Sequence, residues 1–126
     1  MECSIAYRDG ILEAKARGDA EYDGVKRMIA DIVSHPRWMP GGAILVDYTE
    51  FNGGPITVAE VRSLAHAVGQ IRDRFGRAKC AHLVAGDLEF GLVRMWESFV
   101  LDRWDGRAMC FRSRPEAMSW LTDSDA

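Results

Sequence analysis

The stretch Ala43-Ile44-Leu45-Val46, preceded by Gly41-Gly42 and followed by Asp47-Tyr48, decides how this chain folds. Four apolar residues in a row place hydrophobic side chains on both faces of a strand. A strand of that kind needs cover on both sides, so it belongs at the centre of a sheet. The rest of the chain can be read outward from it.

Upstream, Val25, Met28, Ile29, Ile32 and Val33 recur at helical spacing, with Asp19 expected as the N-cap and His35-Pro36 as the stop. Before that helix, Ser4 to Arg8, the Asp9-Gly10 turn and Ile11 to Arg17 read as a hairpin. Leu12, Ala14 and Ala16 alternate with Glu13, Lys15 and Arg17, which gives the second strand one buried and one wet face.

Downstream, a loop is expected from Asp47 to Ile56, and then Thr57-Val58-Ala59-Glu60 forms a capping box. Val61, Leu64, Ala65, Val68, Ile71 and Phe75 make the apolar stripe of one helix, closed by Gly76. Lys79 to Ala85 is the next strand, and Gly86-Asp87 turns it into a helix with Leu92, Val93, Trp96, Phe99, Val100 and Trp104 on one face. Arg107 to Arg112 is the last strand. Ser113-Arg114-Pro115-Glu116 caps a short helix carrying Ala117, Met118, Trp120 and Leu121, and Thr122 to Ala126 is a polar tail.

The order is ββαβαβαβα. It predicts one α/β domain over residues 1–126, with a mixed, mostly parallel sheet of about five strands, right-handed crossovers and an antiparallel edge from the hairpin. A length of 126 residues suits one domain, which can hold its core without a disulfide or metal.

Composition narrows the function classes. The 16 basic and 19 acidic residues are spread evenly. Residues 1–40 carry six and seven, 41–76 three and four, and 77–126 seven and eight. No basic block exists to neutralise phosphates or anionic lipid, so no nucleic-acid partner is expected. No stretch approaches the ~20 apolar residues of a membrane span. Cys3, Cys80 and Cys110 form no C-x-x-C pair, and the acidic start Met1-Glu2-Cys3-Ser4 is unlike a signal peptide; both point to a reducing, cytoplasmic setting.

Several strings resemble one known group. They are Ile11-Leu12-Glu13, Ile32-Val33-Ser34-His35-Pro36-Arg37-Trp38, Leu45-Val46-Asp47-Tyr48, Thr57-Val58-Ala59-Glu60-Val61, Phe90-Gly91-Leu92-Val93-Arg94-Met95-Trp96-Glu97 and the Phe111 to Leu121 ending. Together they resemble the SpoIIAA-like family of STAS/SEC14-type domains over nearly the whole chain. The resemblance implies a βα superhelix and a non-catalytic regulatory module acting through protein contacts or self-association. Its SEC14-like side implies binding of a small molecule or lipid. In STAS domains a phosphorylated serine lies in an Asp-Ser-Gly string at the start of the helix after the middle strand. This chain has no such string, its loop carries Gly53-Gly54, and Thr57 falls near that position.

Individual residues offer a short set of candidates for a partner or ligand surface. Asp47 and Asp87 fall at strand ends, where open α/β sheets bind ligands, although Asp87 also reads as a helix cap. Tyr48 follows Asp47. Trp38, in an apolar loop with Met39-Pro40, reads either as a plug over a helix end or as a contact residue. His82 lies inside a strand, as a satisfied or oligomer-facing histidine rather than a metal ligand, since no H-x-x-x-H or H-x-H spacing exists. No nucleophile–base arrangement, glycine-rich phosphate loop or metal-ligand spacing is present, so no enzyme activity, cofactor or metal is expected. A homodimer, with its contact on a sheet face or on the open edge beside the hairpin, is the expected assembly.

Overall fold

The computed structural model describes residues 1–123 and contains the expected elements in the expected order. The strands are β1 (Glu2–Arg8), β2 (Ile11–Asp19), β3 (Ala43–Asn52), β4 (Lys79–Leu83) and β5 (Arg107–Phe111). The helices are α1 (Tyr22–Ser34), α2 (Val58–Gln70), the single turn α3 (Arg72–Phe75), α4 (Asp87–Val100) and α5 (Arg114–Thr122). All five strands form one sheet in chain order, β1-β2-β3-β4-β5. Only the β1–β2 hairpin is antiparallel. The turn between those strands places Asp9 and Gly10 at φ 53° and 81°, which the Asp-Gly pair tolerates.

Strand order explains the layers. Right-handed crossovers that always step in the same direction leave α1, α2 and α4 on one sheet face. The main core lies there, with Leu12, Ala14, Ala16, Ile44, Val46 and Cys80 of the sheet against Met28, Ile32, Leu64, Val68 and Val100. After β5 the chain crosses to the other face, where Ala117 and Leu121 of α5 pack on Leu45, Ala81 and Leu83. Thus Ile44 and Leu45, adjacent in sequence, enter different cores and are 1% and 0% exposed. The doubly apolar run in β3 is covered as its sequence requires.

The structure departs from the expected boundaries at several places. β3 does not end at Val46 but runs to Asn52, so Asp47 and Tyr48 are strand residues, not loop residues. Its second half has polar and apolar residues mixed, because it pairs with β2 alone, beyond the end of β4. Asp19 belongs to β2 and accepts a hydrogen bond from Asn52 Nδ2 at 2.9 Å. The N-cap of α1 is Glu21, whose carboxylate holds the N-terminal ammonium at 2.9 Å instead of capping. The long helix breaks at Ile71, and because Ile71 and Phe75 still point to the core, the break leaves no mark on the apolar stripe. Gly86, with extended φ and ψ of −91° and 156°, is the N-cap of α4, which makes Asp87 its first helical residue. Thr122 ends α5 and Asp123 is its C-cap; the rest of the expected tail lies outside the described residues. No helix of the described residues is long and apolar enough to cross a membrane.

Candidate functional site

Six candidates came from the sequence, and the structure brings only two of them together. Tyr48 and His82 stand side by side on the face of β3 and β4 that meets the helices, their rings nearly parallel at 6.0 Å between centroids. Tyr48 also packs on Phe51 at 4.6 Å. Beside them, between the sheet and the helix layer, lies a cavity of about 100 Å³. Its floor is Ile44, Val46, Tyr48, Cys80 and His82; Met28, Ile32, Leu64, Val68, Val93 and Trp96 close it from the helices. At one end its wall is half-buried, formed by Phe51, Ile56, Glu89 and Leu92.

The lining is mostly apolar; its polar groups are the His82 ring, the Cys80 thiol, the Tyr48 phenol and the Glu89 carboxylate. His82 is 6% exposed, and among the described residues its Nδ1 has no hydrogen-bond partner. Its Nε2 lies 3.8 Å from Cys80 Sγ. Burial lowers the His82 pKa from 6.5 to about 4 and raises that of the Cys80 thiol to about 12, so both are neutral near pH 7. Burial also raises the Tyr48 phenol above its usual range. A buried polar atom without a partner carries a desolvation cost of about 1–3 kcal/mol. The other such atom, Glu97 Oε1, lies on α4 beside Arg94 and is not part of the cavity wall.

Glu89 holds the half-buried end in place. Its Oε2 accepts a hydrogen bond from the Gly53 N–H at 2.9 Å, which ties the β3–α2 loop to the first turn of α4. Two glycines make room at this end. A Cβ on Gly86 would come within 2.3 Å of Glu89 Oε1, and one on Gly53 within 2.4 Å of Leu92 Cδ1. The same loop delivers Ile56 to the wall. In the sequence Gly53-Gly54 carries only a turn signal, and Glu89 is one carboxylate among several. Leu92 reads as core by its spacing, and no local pattern tells a cavity wall from filled core.

The other four candidates have local duties. Asp47 lies on the opposite face of β3, 4% exposed. Its Oδ1 accepts from the Thr49 N–H and hydroxyl at 2.9 and 2.7 Å, and its Oδ2 accepts from Arg114 at 3.2 Å. Burial alone would raise its pKa, but the Thr49 hydrogen bonds and the charges of Lys15 and Arg114 outweigh it and lower the value. Arg114 also reaches Glu13 at 2.7 Å, so this cluster fastens the start of α5 to β2 and β3. Asp87 is almost fully exposed and pairs with Arg112 at 2.8 Å. Trp38 plugs a helix end: its Nε1 donates to the Arg74 carbonyl at 2.8 Å, and its ring meets Phe75 edge-on. Thr57 forms the expected capping box, its Oγ1 accepting from the Glu60 N–H at 3.1 Å while Glu60 Oε1 accepts from the Thr57 N–H at 2.9 Å. Among the described residues, no group of three or more His, Cys, Asp or Glu side chains is placed to hold a metal ion.

No family model matches the chain, and no curated protein matches it. Among solved structures it is similar to an uncharacterised protein of the DUF3478 family with a SpoIIAA-like fold from Shewanella loihica PV-4. The identity is 18%, the match covers 95% of this chain and 92% of the other, and the TM-score is 0.59. At that identity the likeness speaks for architecture. With its sequential five-stranded sheet, single antiparallel pair and alternating helices, this chain has the SpoIIAA-like fold.

Proposed function

We propose that this chain is a non-catalytic binding module whose cavity beside Tyr48 and His82 takes a small apolar molecule. One observation carries the reading: a mostly apolar cavity of about 100 Å³ lies between the sheet and the helix layer, with the buried His82 ring and Tyr48 on its wall. Ligand sites combine mostly apolar walls with few polar groups, and this wall has that character. The half-buried end, at Phe51, Ile56, Glu89 and Leu92, supplies a route in. Titration with toluene, followed in methyl-resolved NMR spectra, tests the reading. Saturable shifts at Ile32, Val46, Leu64 and Val93 are expected; spectra unchanged up to the solubility limit of toluene would overturn it.

A second reading, regulation through self-association, draws on the outer edge of β1. Antiparallel pairing of two β1 strands about Ile5 would set Glu2 of each copy opposite Arg8 of the other, and the Arg8 side chain is 70% exposed. Sedimentation equilibrium at micromolar concentration should then give a dimer that Arg8→Glu weakens. A single species near 14.1 kDa would refute it. Three unpaired thiols suit a reducing, cytoplasmic setting for either reading.

A further inference from the structure

A separate cleft lies at the end of the sheet where the parallel strands begin, and it shares no wall residue with the cavity beside Tyr48 and His82. It is open, about 270 Å³ in volume, and set between the β1–β2 turn and the loop before β3. The hairpin contributes Tyr7, Gly10 and Leu12 to its wall, and the loop contributes Arg37, Trp38 and Met39. We propose that this cleft binds a small organic monoanion, its carboxylate on the Arg37 guanidinium and its apolar body against Tyr7 and Met39.

Arg37 is exposed, and its guanidinium lies over the Tyr7 ring, 4.4 Å from the centroid. Among the described residues its side chain makes no hydrogen bond and no ion pair, so its five N–H donors are uncommitted within the chain. Stacking on an aromatic face holds a guanidinium while leaving its edge for a carboxylate, which it pairs in bidentate fashion. No carboxylate lines the wall; Asp9, next to Gly10 in the turn, is outside it.

The field around the cleft has the matching sign. Parallel strands sort by strand end the charges that are spread evenly along the sequence. The segments leading into β3 and β4, residues 35–42 and 72–79, carry five Lys or Arg residues and one acidic residue, Asp73. Of these five, Arg72 is paired, with Asp105. Residues 8–10 and 101–107 at the same end are balanced, with one and two of each sign. At the opposite end, residues 19–23, 47–60 and 84–89 carry three, three and two acidic residues and no basic one. Arg112 and Arg114 there are paired with Asp87 and with Glu13 and Asp47. An anion is therefore drawn to the end that holds the cleft.

Size and rigidity narrow the class. The volume falls just below the ~300–1,000 Å³ of common ligand pockets, which suits one ring or a short chain. One guanidinium balances one negative charge, so a monoanion fits better than a dianion. The loop is pinned by its own bonds: the Arg37 N–H donates to His35 Nδ1 at 3.1 Å, the Trp38 indole to the Arg74 carbonyl at 2.8 Å, and the Gly41 N–H to the Phe75 carbonyl at 2.8 Å. Binding then costs little ordering. Met39, 73% exposed, presents its apolar side chain at the rim.

Benzoate and benzamide share a ring and differ in charge. In backbone ¹H–¹⁵N spectra of the wild type, benzoate should give saturable shifts at Gly10, Gly41 and Gly42, and benzamide should bind at least tenfold more weakly, as the loss of a charge-assisted hydrogen bond requires. Arg37→Gln should bring benzoate down to the level of benzamide. Arg8→Gln removes the same charge from the opposite face of the sheet, near Glu13, and should leave benzoate affinity within about twofold. Equal binding of benzoate and benzamide, or benzoate binding that survives Arg37→Gln, would overturn the pairing of the anion with Arg37. Phenyl phosphate, a dianion, binding more tightly than benzoate would overturn the monoanion class. No saturable shift at these glycines by about 10 mM benzoate would overturn the site itself, whatever toluene does in the other cavity.

Discussion

Two side chains show how differently a residue can serve this fold. Thr57 is exposed and satisfied. Its hydroxyl and the Glu60 carboxylate take up two free N–H groups at the start of α2, and losing such a cap costs about 1 kcal/mol. Thr57→Ala should lower stability by that amount in chemical denaturation, with an unchanged slope; an unchanged midpoint would refute the capping role. His82 is buried and unsatisfied. The unfolded chain binds a proton on this ring below about pH 6.5, the folded chain only below about 4. The unfolded state therefore holds more protons between those values, and stability falls as pH drops through that window. The loss amounts to about 3 kcal/mol at its limit. His82→Phe should flatten this part of the pH–stability curve and be neutral or stabilising at pH 7, since it removes the orphaned nitrogen at similar volume. A variant that keeps the wild-type acid sensitivity would move its origin to another group.

At the scale of elements, β3 and the loop after it shape the site. Legibility here depended on which signal each segment carried. The run Ala43 to Val46 was readable because both its faces are buried. Residues 48–52 were not, because a strand paired on one side only has no two-sided apolar signature. The break at Ile71 was hidden for the opposite reason: its apolar period continues undisturbed through α3. Gly53 was legible as a turn residue but not as a packing one, since Leu92 is 39 positions away in sequence. Gly53→Ala would bring a methyl group onto Leu92 Cδ1, the mobile end of a side chain, so Leu92 can yield by turning toward the cavity. The expected cost is about 1 kcal/mol, the lower end of over-packing, together with at least a severalfold weakening of toluene binding. Loss of stability with full binding would show that this loop does not shape the cavity.

For the whole molecule, one rule of topology accounts for most of the architecture. A sheet wound steadily from β1 to β5 places three crossover connections on one face and leaves the last helix to cover the other. Alternating patterns and capping strings in the sequence carried that order, and of the site they carried Tyr48 and His82 as separate residues. Their meeting beside a cavity depends on the β3–β4 register, in which Val46 lies opposite His82, and on the space left by α2 and α4. Neither follows from local periodicity. Apolar cavities admit xenon, which needs no hydrogen bond and little room, so a crystal structure under xenon pressure addresses the cavity apart from any choice of ligand. One ordered xenon atom is expected between Val46, His82, Leu64 and Val93. Side chains of α2 and α4 packed directly on Tyr48 and His82, with no xenon between them, would contradict the account.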